Sequence, residues 1–146
     1  MPEQETIDRA REDAREGKSP STQAGEFVRE EIHHIREGKH GARSAQQAIA
    51  IGLSKARRAG VKLRAPKGSA ALRKKATQDE KASEHPHRKR SATRARATKQ
   101  ALEREPRRSA SKSSLSRQAK RAATTAGKRA RSESADKGAR TRKLSK

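Results

Sequence analysis

Three stretches within the first 63 residues carry apolar positions at helical spacing, and each stops at a glycine: Gly17, Gly38 and Gly60. Glycine tolerates the left-handed conformation that commonly ends a helix, so the pattern predicts three short helices. The first begins near Thr6, with Ile7, Ala10 and Ala14 on one side and charges of both signs elsewhere, and is expected to be solvated and frayed. The second takes Ser21 or Thr22 as N-cap and runs to Glu37. It places Ala24, Val28, Ile32 and Ile35 on one face, Phe27 beside them, and Glu26, Glu30 and Glu37 on the opposite face. Glu31 falls in the apolar sector between Phe27 and Ile35, where an unpaired charge is costly. It must pair with a cation or sit at a rim.

The third helix opens with Ser44-Ala45-Gln46-Gln47, a capping-box pattern, and continues to Ala59. Ala45, Ala48, Gly52, Ala56 and Ala59 form a strip of small side chains flanked by Ile49 and Leu53, which lets the second helix approach closely. Ile51 falls on the remaining face, exposed, and is the candidate contact for a protein partner or a second copy of the head. The tetrapeptides Arg15-Glu16-Gly17-Lys18 and Arg36-Glu37-Gly38-Lys39 recur 21 residues apart, each placing a glycine stop and a cation at a helix end.

After Leu63 the pattern changes. Large apolar residues are reduced to Leu72, Leu102, Leu115 and Leu144, and Lys or Arg recurs every few residues among Ala, Ser and Thr. The first 63 residues hold 12 basic and 10 acidic side chains, the remainder 27 and seven. The expectation is an all-α protein: a head of about three short helices over residues 5–63, then a mostly disordered, low-complexity basic tail over 64–146. Nascent helices are expected over 92–105, stopped by Pro106, and over 115–126, stopped by Gly127.

Charge then narrows the function. The 146 residues carry 39 Lys or Arg against 17 Asp or Glu, a net charge of +22, which calls for a polyanionic partner. Nucleic-acid contacts are expected at Arg57, Arg58 and Lys62 on the head, and along the tail at Arg73, Lys74, Lys75, Arg88, Lys89, Arg90, Arg94, Arg96, Arg107, Arg108, Lys120, Arg121, Lys128, Arg129 and Arg131. Single-strand recognition normally stacks bases on aromatic rings, and Phe27 is the sole aromatic residue, so duplex DNA or structured RNA is expected, with duplex DNA taken as the favoured partner. A helix-turn-helix built from the second and third helices is disfavoured by their loop of about six residues. A different class of function is a protein-interaction module whose tail only solubilises; RNA or ribosome association is a third.

Other chemistries are not expected. The chain has no cysteine, no run of apolar residues long enough for a membrane span and no signal-peptide pattern, so a cytoplasmic, nucleoid-associated protein is expected, with no membrane partner. No nucleophile elbow, phosphate-cradling loop or triad pattern is present, and no catalytic residue, cofactor or small-molecule substrate is expected. Glu30 with His33, and Glu31 with His34, show the Glu-x-x-His spacing of di-metal helix bundles, but such sites draw carboxylates from four facing helices. His33, His34 and His40 are therefore expected to be solvated histidines among carboxylates, with no metal, adjacent helical histidines pointing about 100° apart.

The segment Gly38-Lys39-His40-Gly41-Ala42-Arg43-Ser44, continuing through Gln47-Ala48-Ile49-Ala50-Ile51-Gly52-Leu53-Ser54-Lys55-Ala56-Arg57-Arg58-Ala59-Gly60, resembles a family of small uncharacterised bacterial proteins. The resemblance implies a bacterial head module, in a family sometimes labelled DNA-binding for its basic character. The tail is similar in composition to the Lys/Ala/Arg/Ser tails of bacterial histone-like and linker-histone-like proteins.

Overall fold

A computed structural model describes residues 1–85 and 88–144, and leaves out the side chains of Lys128, Arg129, Arg131, Lys143 and Leu144. The described residues contain no strand; the fold is all-α. The helices are α1 (Gln4–Arg15), α2 (Pro20–Glu37), α3 (Ala45–Arg58), α4 (Ala70–Glu84), α5 (Ala92–Glu103) and α6 (Lys112–Leu144), with a 3-10 turn at Arg108–Ala110 before α6. They form two compact units, Met1–Ser111 and Lys112–Lys146.

The three expected helices of the head are present, and their ends show how the sequence sets them. Gly17, Gly38 and Gly60 all take positive φ, at 74°, 82° and 96°. After each, the chain closes back on the helix in the same way: Lys18 N donates to Asp13 O, Lys39 N to His34 O and Val61 N to Ala56 O, at 2.9, 3.0 and 3.0 Å. This is the paired-bond closure that a C-terminal glycine permits. The recurring Arg-Glu-Gly-Lys is thus a helix stop used twice. At the other end, α2 starts earlier than expected. Ser19 caps it and Pro20 occupies its first turn, where a missing N–H costs nothing. Ser44 caps α3 by accepting from Gln47 N at 3.1 Å, while Gln47 Oε1 reaches back one residue further than a capping box requires, to Arg43 N at 2.6 Å.

The close approach of α2 and α3 follows from the small strip. A side chain added at Gly52 would lie 2.6 Å from Val28 Cα, so only glycine lets the two backbones meet there. Ala45, Ala48 and Ala56 are buried with it, whereas Ala59 caps the helix and is exposed. The buried stripe of α2 is rotated from the expected one: Ala24, Phe27, Glu31 and Ile35 face inward with Glu30, and Val28 and Ile32 are only half-buried. Phe27 gathers Ala10, Ala24, Ala56 and Val61 into one apolar cluster, with Ile7, Leu53 and Leu63 against it. Ile35 gathers Ala42, Ala48 and Ala110 into a second, with Ile32 against it.

Helix α1 is docked rather than frayed. Thr6 and Ala10 are buried, Ala14 is not, and Arg9 Nε bonds Glu26 Oε2 on α2 at 2.8 Å.

The expectation of a disordered tail beginning at residue 64 is corrected. Serines at 69 and 91 each accept a hydrogen bond from the backbone N–H three residues on, capping α4 and α5, and alanine with long straight side chains then propagates the helices. Helix α4 packs on α3 through buried Ala76 and Asp79. Asp79 accepts from Ser54 Oγ at 2.6 Å and Arg58 Nε at 2.8 Å, and pairs with Lys75. Ile51 shares that face of α3 and is half-buried, not exposed as expected.

The C-terminal end of α5 and the residues beyond it also return to the head. Gly41 N donates to Leu102 O at 2.8 Å and Ala42 N to Pro106 O at 3.1 Å. Ala110 is fully buried in the second apolar cluster. The first compact unit therefore extends to Ser111 instead of closing at Leu63.

In the second unit, Gly127 interrupts α6 with φ 74° and ψ 165°, at the residue where the sequence places a helix stop. The arm before it starts three residues earlier than the expected 115, and helix resumes after it.

Candidate nucleic-acid interface and a buried polar cluster

The expected nucleic-acid contacts separate into two groups. Arg73, Lys74, Arg88, Lys89, Arg90, Arg94, Arg96, Arg107, Arg108, Lys120 and Arg121 are exposed. Helix α5 has no buried residue, and Arg94, Arg96 and Lys99 stand exposed on it. On α6, Arg117, Lys120 and Arg121 fall at helical spacing on one face and are exposed. Arg58 and Lys75, by contrast, are committed to Asp79, and Arg57 Nη2 donates to Arg64 O at 3.3 Å. Lys62 is exposed, 3.9 Å from Glu80. Lys128, Arg129 and Arg131 have side chains outside the described residues.

The structure adds one basic feature that spacing does not reveal. Arg36, Arg107 and Arg108 line an open cleft with Ala110 and Ser111. Arg36 Nε donates to Ala110 O at 2.9 Å, and the Arg107 guanidinium lies across Gly38 at the C-terminal end of α2, where the helix dipole favours a cation. Residues 36 and 107–108 share this cleft because the 3-10 turn docks on α2 and α3.

The second concentration of chemistry is buried. Glu31 is 1% exposed and meets two cation-capable groups: Lys55 Nζ approaches Oε2 to 2.6 Å and His40 Nε2 lies 2.9 Å from Oε1. The lysine contact is an ion pair without aligned hydrogen-bond geometry, leaving Oε2 without a hydrogen bond. This satisfies the requirement read from the sequence, that a charge between Phe27 and Ile35 find a cation. Glu30, expected on a solvated acidic face, is buried instead. Its Oε1 accepts from Glu3 N at 3.2 Å and lies 3.8 Å from His34 Nε2, and its Oε2 has no hydrogen-bond partner. Glu3 Oε1 reaches His34 Nε2 at 2.9 Å and Lys39 Nζ at 3.4 Å, and hydrogen bonds from His34 and then Lys39 hold the Glu3 carboxyl below its usual range.

The histidines divide as helical geometry requires. His33 points outward and pairs with Glu37 at 2.9 Å. His34 turns inward and meets His40 edge to face, ring centroids 6.4 Å apart. The expectation that all three are solvated therefore holds for His33 alone. One ring nitrogen from each of His34 and His40 and one oxygen of Glu31 lie within 4.8 Å of one another, and Glu3, Glu30 and His34 make a second such trio.

No protein-family model, curated protein or solved structure matches the chain. No helix among the described residues is long and apolar enough to cross a membrane.

Proposed function

We propose that the protein is a non-enzymatic nucleic-acid-binding protein that coats duplex DNA with little sequence preference, in the manner of a nucleoid-associated protein. The observation that carries this reading is the exposed, one-signed cation array of α5 and α6 on elements with so little apolar surface to bury. Helix α5 has no buried residue, and residues 112–146 hold 12 basic side chains against two acidic ones. A helix that is polar all round gains little from its own chain and is suited to a partner that supplies opposite charge. Duplex phosphates, one charge per about 1.7 Å of helix axis, meet that need.

In the first compact unit the 3-10 turn seats residues 107–110 on the head, and Arg36, Arg107 and Arg108 line one open cleft, a place for a phosphate. Cations spread over flexible side chains read charge rather than base edges, so affinity is steep in salt and weak in specificity. The alternative of a protein-interaction head anchored by Ile51 loses its exposed anchor, since α4 packs on that side of α3.

Fluorescence anisotropy of the full chain on duplex DNA and duplex RNA, titrated across salt, tests the proposal. Tight binding at low salt with a steep salt slope is the expected result, and tighter binding to DNA than to RNA identifies the partner. Absence of binding to either duplex at low salt overturns it.

A further inference from the structure

The Glu31, His34 and His40 cluster has a feature that ion pairing alone does not explain. His40 Nδ1 lies 2.9 Å from the Gly41 carbonyl oxygen, which can only accept, so Nδ1 carries a hydrogen. In the neutral ring, the other nitrogen then presents a lone pair, and that nitrogen faces Glu31 Oε1 at 2.9 Å. Two acceptors face each other in a buried place unless a proton or a metal cation lies between or beside them. A histidine whose far nitrogen is fixed by a backbone carbonyl, with its near nitrogen turned toward a carboxylate, is also the usual arrangement of a metal ligand.

Two further observations favour the metal. The donor atoms of Glu31, His34 and His40 already lie within 4.8 Å of one another, against about 3.3 Å around a tetrahedral zinc ion, a gap that small side-chain rotations close. Buried Oε2 of Glu30 has no hydrogen-bond partner, although that carboxylate sits beside His34. Two imidazoles and a carboxylate suit zinc or a similar borderline divalent ion.

We infer that Glu31, His34 and His40 form a site for one divalent transition-metal ion, zinc by donor chemistry, with Glu3 and Glu30 as adjacent carboxylates that orient His34 and offer a further ligand. The site ties the loop after α2 to α2 itself, and through Lys55 to α3. It stands independently of the nucleic-acid reading, since it lies in the first compact unit and uses none of the exposed cations.

The test is zinc titration of the full-length, metal-free protein without nucleic acid, followed by calorimetry and by the ring-nitrogen NMR signals of the five histidines. Cobalt(II) serves as a second probe through its ligand-field absorption. The expected result is one equivalent bound, with the His34 and His40 signals shifted and those of His33 and His85 unmoved. His40→Gln, His34→Gln and Glu31→Gln should each weaken binding by more than the roughly 10–100-fold that loss of an orienting partner costs. His33→Gln should leave it unchanged, and helical circular dichroism checks that each variant is folded. The inference is overturned if His34 and His40 signals do not respond to zinc in the unaltered protein, or if the folded H34Q and H40Q variants bind as well as it does. The cluster would then be an imidazolium–carboxylate pair.

Discussion

Glu31 is the residue on which the head turns, because its carboxylate lies in the stripe of α2 that otherwise buries Phe27 and Ile35. Lys55, 22% exposed, is the cation that offsets it. Replacing one partner of a buried pair leaves the other uncompensated, which costs about 3–5 kcal/mol. Lys55→Met is therefore expected to lower stability by that order in urea unfolding, far more than Lys74→Met, whose side chain is exposed. The glycines make a second residue-scale prediction. A methyl group at Gly41 would fall 1.8 Å from Glu105 O, so Gly41→Ala must separate the loop from residues 102–106. Hydrogen exchange checks this: the amides of Gly41 and Ala42, which donate to Leu102 and Pro106, should lose protection while those of α3 keep it.

At the scale of elements, α4 is held by polar contacts more than by apolar area. Burial pushes the Asp79 carboxyl up, but hydrogen bonds from Lys75, Ser54 and Arg58 outweigh it and set the group below its ordinary value of 3.8. The unfolded or undocked chain thus binds the proton more readily, and stability rises with pH across that interval. The contribution is fully present above the ordinary value and is lost as pH falls through the lower, folded one. Acidification is expected to release α4 from α3, read as loss of amide protection at Ala76. Asp79→Asn should weaken the docking at neutral pH and flatten its acid dependence. Helix α5 differs, having no buried residue, and Arg94→Gln with Arg96→Gln should leave the head's stability unaltered.

For the whole molecule, the prediction is electrostatic. If about ten cations engage a duplex, log K should fall against log salt with a slope near −9, and removing two engaged arginines should reduce that slope by about two. Truncation after Ser111, the end of the first compact unit, removes 12 of the 39 basic residues and should lower both affinity and slope without unfolding the head. Truncation after Leu63 would instead strip α4 from α3 and Ala110 from the core, so a loss of binding there would confound folding with charge.

Local rules made much of the fold legible from sequence. Three glycine stops, the Ser44 cap and the small strip of α3 are short-range features, because a helix end depends on a few neighbouring backbone groups and a close approach on the absence of a side chain. Glu31 could be recognised as needing a cation for the same kind of reason, since helical periodicity places it between two large apolar residues. Which cation, and which histidines join it, depended on the loop after α2 folding back to bring His40 beside residues 31 and 34. Likewise Ser69 and Ser91 carried readable capping signals, yet the charge of the surrounding segment suggested disorder; the buried contacts of Asp79 and Ala110 decided otherwise. The sequence by itself determined the three helices of the head, their glycine stops and the concentration of positive charge after residue 63. Only the tertiary structure decided where the compact unit ends and which polar side chains share a buried space, because both depend on contacts between residues far apart in the chain, which no local periodicity encodes.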